Sequence, residues 1–188
     1  TFSLNTFIKV CLLDTGGRIS EVQKRLAKPG GYDFYKPLQG AVRAHSDGDF
    51  SQAKTILGAP VNETERKYNQ DAFNAFKLRF GSIKSLEAIQ QKRHLTFSGA
   101  GLRISIDPLF EFTKAGTRQI FCMWPTQKPT LTQKYGAVAC HIMRSAYSND
   151  KLGNGAFFFA DLVSNKTYSE KQITNNTNLI LKADVNSI

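Results

Sequence analysis

The sequence has few of the residues that mark several large protein classes. It contains three cysteines, Cys11, Cys122 and Cys140, each inside an apolar run and none close to another. This pattern predicts neither a disulfide framework nor a zinc cluster, so we expect buried, reduced thiols. No apolar run approaches the roughly 18 residues of a membrane-spanning helix, and residues 1–15 lack the basic start of a signal peptide. We therefore expect a cytoplasmic protein that does not bind membranes.

The motifs of common catalytic chemistry are also missing. His45, His94 and His141 lie too far apart in sequence to form a paired metal-ligand motif. Gly99 and Gly101 lack the third glycine of a dinucleotide-binding loop, and no lysine-containing phosphate loop is present. The sequence thus predicts no metal site and no cofactor. It leaves enzymatic activity open but favours a protein that is not an enzyme.

Acidic residues are too few to balance the basic ones. The chain has 15 Asp and Glu against 25 Lys and Arg, which gives a formal net charge of +10. The basic excess is spread along the chain and forms no basic tail, so we expect a folded basic surface facing a polyanion, most commonly nucleic acid. Two other interpretations stay open, an acidic protein partner and a solvated basic surface that only keeps the protein soluble.

The first half of the chain, residues 1–91, is predicted to be helical. Ser3–Leu13 places its apolar residues on one face and is expected to end at Gly16 and Gly17. Glu63–Phe80 is the strongest candidate, because Asn62 is a suitable N-cap and aromatic residues follow at four-residue spacing. Ser82–Gln91 is expected to add one more helical segment.

The second half, residues 92–188, changes to strand patterns around one long helix and a last helix capped by Ser169. The predicted strands are His94–Phe97, Leu102–Ile106, a segment with Phe110 and Phe112, Arg118–Trp124 and Ala156–Val163, and the long helix is Thr130–Tyr147. The order α-β-β-β-α-β predicts an α+β fold with a mixed sheet flanked by helices. We expect one compact unit, with the helix at residues 62–80 packed on the sheet.

This order of elements, over roughly residues 62–163, resembles the core of the PD-(D/E)XK nuclease-like superfamily. The resemblance implies an Asp near the second strand and an acidic-x-Lys triplet on the third, which together hold a divalent metal. Asp107 matches the first position, with Glu111 nearby, but Gln119–Trp124 contains no acidic-x-Lys triplet. The resemblance therefore implies a degenerate, non-catalytic relative. The alternative is a nuclease with a rearranged Mg²⁺ site at Asp107 and Glu111, and an unrelated α+β fold with the same element order stays open.

Basic and aromatic residues are interleaved in two places, a pattern that suits phosphate contact and base stacking. Trp124 precedes Pro125 at a strand end, where an aromatic side chain is expected to be partly exposed. The predicted nucleic-acid-binding residues are Arg118, Trp124, Lys128, Lys134 and Arg144. A second group places Tyr32, Phe34 and Tyr35 between Lys28 and Lys36.

The predicted function is non-enzymatic binding through a basic face, with nucleic acid as the first candidate ligand. A metal-dependent nuclease centred on Asp107 is one alternative. A structural or protein-interaction module with an acidic protein partner is the other. In either group the aromatic residues could instead fill the core, with the basic residues forming ordinary surface.

Overall fold

The structure, a computed structural model, describes residues 1–27 and 32–188. Its first part is helical, as predicted. The helices of this part are α1 (Leu4–Leu12), α2 (Thr15–Ala27), α3 (Lys36–Ser46), α4 (Phe50–Gly58) and α5 (Glu63–Phe80). No helix in the described residues is long and apolar enough to cross a membrane.

The strands form two separate sheets. The small sheet has the order β1 (Phe2–Ser3), β4 (Leu102–Ile106) and β3 (Arg93–Phe97), with β1 parallel to β4. The larger sheet has the order β2 (Glu87–Ala88), β5 (Phe110–Lys114), β6 (Thr117–Trp124), β7 (Ala156–Asp161) and β8 (Lys166–Ser169). Within it β6 and β7 are parallel and the other pairs are antiparallel. The predicted α+β class is confirmed.

Helices cover both faces of the five-stranded sheet. On one face, α5 places Phe76 and Phe80 against Phe110, with ring centroids 5.3 and 5.0 Å apart. The Asn62 side chain accepts a hydrogen bond from the Glu65 amide at 3.0 Å and so caps the start of α5. The bounds predicted for this helix from its aromatic spacing are confirmed.

The other face is covered by α6 (Gln133–Ala146), which connects β6 to β7, and by α1 and α7 (Asn175–Asn186). Val138 and Ile142 of α6 are completely buried there. Gly136 lets the helix approach β8, because a Cβ atom at this position would lie 2.2 Å from Cγ of Tyr168. A side chain at residue 136 would therefore force the helix away from the sheet.

Several local predictions are wrong. Gly16 and Gly17 do not end a helix but lie in the first turn of α2, where the Asp14 carboxylate accepts a hydrogen bond from the Gly17 amide at 2.7 Å. The segment Ser82–Gln91 contains β2 instead of a helix, because its backbone pairs with β5. Ser169 caps a short 3₁₀ turn, and the last helix begins after Thr174.

The division of the strands into two sheets was not predicted either. The β3–β4 hairpin does not join the larger sheet but pairs with β1, so residues near position 2 contact residues near position 104. The boundary predicted between residues 91 and 92 falls between β2 and β3 and stays a prediction.

Candidate functional site

Trp124 does not present an exposed ring. Its side chain is completely buried and packs against Phe159, with ring centroids 6.2 Å apart. The expected partial exposure is wrong because the end of β6 is covered by β7 and by the helices of one sheet face. Trp124 is therefore part of the core and offers no surface for base stacking.

Arg118 and Arg144 are engaged by carboxylates. Arg118 donates from Nε and Nη2 to the two oxygens of Glu111, at 2.7 and 2.6 Å. Arg144 donates from Nη2 to Glu170 at 2.7 Å and to the carbonyl of Gly155 at 2.7 Å. The hydrogen bonds that Arg144 donates to Glu170 raise the pKa of Arg144. Both guanidinium groups therefore stabilise contacts between loops and strands of the fold.

Lys128 and Lys134 are exposed, but the five predicted residues do not form one surface. Arg118 lies six residues before Trp124 on the same strand, a separation of about 20 Å at the rise of a β-strand. Arg144 also lies at the Arg118 end of the sheet, beside the residues that precede β7. Lys134 covers the ring of Tyr135 at 4.7 Å from the centroid.

Asp107 and Glu111, the carboxylates of the nuclease alternative, belong to two different ion pairs. Nη2 of Arg43 donates to Oδ1 of Asp107 at 2.6 Å, and the same guanidinium donates to the carbonyls of Ile89 and Pro108 at 2.9 and 3.2 Å. Glu111 is held by Arg118. Among residues 1–27 and 32–188, no group of three or more His, Cys, Asp or Glu side chains could hold a metal ion.

A cleft of about 910 Å³ opens at the end of β6 next to Asp107. Its floor includes Cys122 and Met123 of β6, and one wall is formed by the start of the chain. The Asn5 side chain fastens that wall to the floor by donating to the carbonyl of Met123 at 2.9 Å. Another part of its lining comes from residues 32–35 and from Leu38 and Gln39 in the first turn of α3.

The outer face of the small sheet joins this cleft and is basic. Leu102, Ile104 and Ile106 point into the core, and the alternate residues Arg103, which is exposed, and Ser105, which is buried, lie on the other face. In the strand register His94 lies opposite Ser105, and Thr96 lies opposite Arg103. Ser105 also lines the cleft, as does Lys92, the residue before β3. We call Lys92, His94 and Arg103 the basic sheet face.

The members of the basic sheet face lie close enough to influence one another. Partial loss of hydration lowers the pKa of His94, and the positive charges of Arg103 and Lys92 lower it further. His94 is therefore largely neutral near pH 7, since its ordinary pKa of about 6.5 is already below that value. A bound anion would favour its protonated form.

Three aromatic residues of the segment 32–35 line the cleft: Tyr32, Phe34 and Tyr35. We call them the aromatic wall. The ring of Phe34 meets that of Tyr35 edge-on at 5.1 Å. Tyr32 is 72% exposed, and its hydroxyl donates to the carboxylate of Glu65 on α5. The ring of Tyr32 is thus held at its far end and exposed to solvent.

A buried amide on α5 positions the aromatic wall. Asn69 is completely buried; its Nδ2 donates to the carbonyl of Phe34 at 2.8 Å, and its Oδ1 accepts from the amide of Leu38 at 2.9 Å. Sequence reasoning missed this residue. The available signal was an asparagine on the otherwise apolar face of an amphipathic helix, where an unpaired amide would be costly.

The aromatic residues of the second group of the sequence therefore line the cleft, whereas Lys36 is not part of its lining and Lys28 lies outside the described residues. Further cations come from α1 and α2: Lys9 and Arg25 both line the cleft and share one carboxylate, that of Glu21, at 3.3 and 3.2 Å. Two positive charges against one negative leave one net positive charge there. Burial raises the pKa of the Cys122 thiol in the floor, and the Asp107 carboxylate adds to the effect, so the thiol stays protonated and is a poor nucleophile.

No protein-family model and no curated protein matches the sequence. Among solved structures, the chain is similar to a protein from Eubacterium rectale provisionally described as an exonuclease, with a TM-score of 0.46 and 12% identity over 98% of this chain and 77% of that one. It is also similar to the protein SSO0001, with a TM-score of 0.36 and 12% identity over 95% of this chain and 82% of that one.

The chain is thus an α+β protein with a weak, topology-level likeness to these two structures. Both TM-scores lie below 0.5, so the likeness concerns the general course of the chain alone.

Proposed function

We propose that the protein binds nucleic acid, without catalysis, in the cleft between the basic sheet face and the aromatic wall. The supporting observation is that cations and aromatic rings meet in one cleft: Lys9, Arg25 and Lys92 line it together with the aromatic wall, and His94 and Arg103 lie on the adjoining sheet face. Cations supply phosphate contacts and aromatic rings supply stacking, the two recurring components of nucleic-acid binding. The net charge of +10 favours the approach of a polyanion.

We assign no catalytic role to Asp107. Metal-dependent phosphodiester hydrolysis uses several oxygen ligands around the cation. At this position a guanidinium already neutralises the carboxylate, and Glu111 is paired with Arg118. The proposal therefore treats the Arg43–Asp107 pair as a support for the cleft.

The salt dependence of binding tests the proposal. The cleft and its adjoining sheet face offer about two net positive charges near neutral pH: Lys92, Arg103 and one from the group of Lys9, Arg25 and Glu21, less one for the Asp33 carboxylate that also lines the cleft. Each neutralised phosphate contributes about −0.7 (single strand) or −0.9 (duplex) to the slope of log affinity against log salt. We expect a slope of about −1.4 to −1.8, so that binding weakens about 7- to 12-fold between about 50 and 200 mM salt.

The experiment measures fluorescence anisotropy of labelled oligonucleotides, both single-stranded and duplex. The double variant Lys92→Glu, Arg103→Glu should bind more weakly and with a slope shallower by about 1.4 or more. A matched control, Lys54→Glu with Lys182→Glu, makes the same change in net charge at exposed positions on α4 and α7. Equal losses in both double variants, or no binding by the wild type at low salt, would contradict the proposal and favour an acidic protein partner.

A further inference from the structure

We infer that the ligand of this cleft is single-stranded, with its bases against the aromatic wall and its phosphates on the basic sheet face. The inference rests on the proposed function and goes beyond it by naming the class of nucleic acid. It depends on three features of the cleft: the exposure of Tyr32, the cations that line and adjoin the cleft, and its size.

Tyr32 is presented in a way that suits an unpaired base. Most of its ring is exposed, and the hydrogen bond from its hydroxyl to Glu65 restrains the side chain. A ring held in this way offers a flat face at low cost in conformational entropy. Stacking on such a face requires a base whose own face is free, and inside a duplex the faces are covered by neighbouring base pairs.

Cations line and adjoin the same cleft. Lys92 lies in its lining, as do Ser3 and Ser105, which are paired in the β1–β4 register. Arg103 and His94 occupy the adjoining face of the adjacent strands. Hydroxyl and guanidinium groups are common phosphate donors. A single strand carries unpaired bases and phosphates together, the two groups that aromatic rings and cations in one cleft can bind.

The size of the cleft agrees with this class of ligand. A volume of about 910 Å³ falls within the range of about 300–1,000 Å³ typical of pockets that enclose small ligands. It suits a few unpaired nucleotides that enter between two walls. Duplex recognition instead uses elements that project into a groove, whereas here the aromatic and basic groups face a concave space.

The test compares a labelled 12-nucleotide single strand with the corresponding blunt duplex at about 50 mM salt. We expect the single strand to bind at least tenfold more tightly. Tyr32→Ala should weaken single-strand binding about 5- to 150-fold, which is the measured range of base–aromatic stacking. Tyr32→Phe keeps the ring and should bind within about threefold of the wild type. Phe50→Ala, which removes another largely exposed ring on α4, is the matched control and should leave binding unchanged.

The outcomes separate this inference from the proposed function. Duplex binding as tight as single-strand binding, with the expected salt slope, would overturn the inference and leave the proposed function in place. A loss in Tyr32→Phe equal to that in Tyr32→Ala would also overturn it, because the tether to Glu65 and not the ring would then be required. Failure of both oligonucleotides to bind would reject the proposed function itself.

Discussion

Replacing Arg43 by methionine tests both the support of the cleft and the metal-site alternative. The guanidinium joins α3 to the start of β5 through one carboxylate and two carbonyl groups, and the side chain is 17% exposed. Methionine fills a similar volume but leaves Asp107 without its cation. A hydrogen bond to a charged group contributes about 1.5–3 kcal/mol, and a neutral one about 0.5–1.5 kcal/mol.

The side chain of Asp107 is 33% exposed, so water compensates part of this loss. We expect Arg43→Met to lower the free energy of unfolding by about 3 kcal/mol. For a chain of 188 residues this corresponds to a fall in Tm of about 6–12 °C. Adding Asp107→Asn to Arg43→Met should restore about 1 kcal/mol of the free energy of unfolding, because it removes the unpaired charge. Arg93→Met, which breaks a more exposed ion pair with Asp150, is the control and should cause a smaller fall.

Magnesium distinguishes the two interpretations of Asp107. If Asp107 and Glu111 could form a metal site, millimolar Mg²⁺ would replace the lost cation and raise the Tm of Arg43→Met through binding to the folded state. We expect no such rise, since one carboxylate is a poor Mg²⁺ site. A Mg²⁺-dependent rise in Tm that Asp107→Asn abolishes would refute the assignment of Asp107 as a partner of Arg43 alone. An unchanged Tm in Arg43→Met would refute the stabilising role of the Arg43 guanidinium.

Two further predictions concern the core and the basic sheet face. Val138→Asp should lower the Tm by about 10 °C or more, because it places an unpaired charge at a completely buried position of α6; an unchanged melting curve would show that the α6 packing is misassigned. Oligonucleotide affinity should rise as the pH falls from about 7, since a bound phosphate raises the lowered pKa of His94 and binding then takes up a proton. His94→Gln should remove this pH dependence. Anisotropy titrations of both proteins at constant salt measure it, and an unchanged pH dependence in His94→Gln would contradict the prediction.

Elements with a strong internal pattern could be predicted from the sequence. The helix α5 follows from an N-cap and aromatic residues at four-residue spacing, and α6 follows from one apolar stripe. The hairpin between β5 and β6 follows from Ala115 and Gly116, which both adopt positive φ angles. These signals are local, so they do not depend on the rest of the fold.

Elements formed by distant backbone pairing could not be predicted. Strands β1 and β2 have two residues each, and Glu87 and Ala88 have no strand preference of their own. Their conformation is determined by partners about 100 and 24 residues away. The burial of Trp124 has the same origin, because the sequence shows a strand end but not the layers that cover it.

The candidate site was found in part. Its aromatic residues Tyr32, Phe34 and Tyr35 stood out by their basic flanks, whereas Lys92, His94 and Arg103 gave no sequence signal. The two groups meet only because β4 pairs with β1 and because Asn69 fixes the segment before α3. Neither contact can be inferred from spacing along the chain.

Because β1 pairs with β4, the cleft forms only when segments about 100 residues apart come together. Closing a loop of about 100 residues costs about 4 kcal/mol of chain entropy, which must be offset by contacts that form together across the whole molecule. Such long-range contacts form late or all at once. Partly folded chains therefore lack the cleft, and a ligand bound there at about 100 times its Kd would stabilise the complete fold by about 2.7 kcal/mol. Occupancy of the cleft and cooperative unfolding of the chain are thus linked, and the same oligonucleotide titration reports on both.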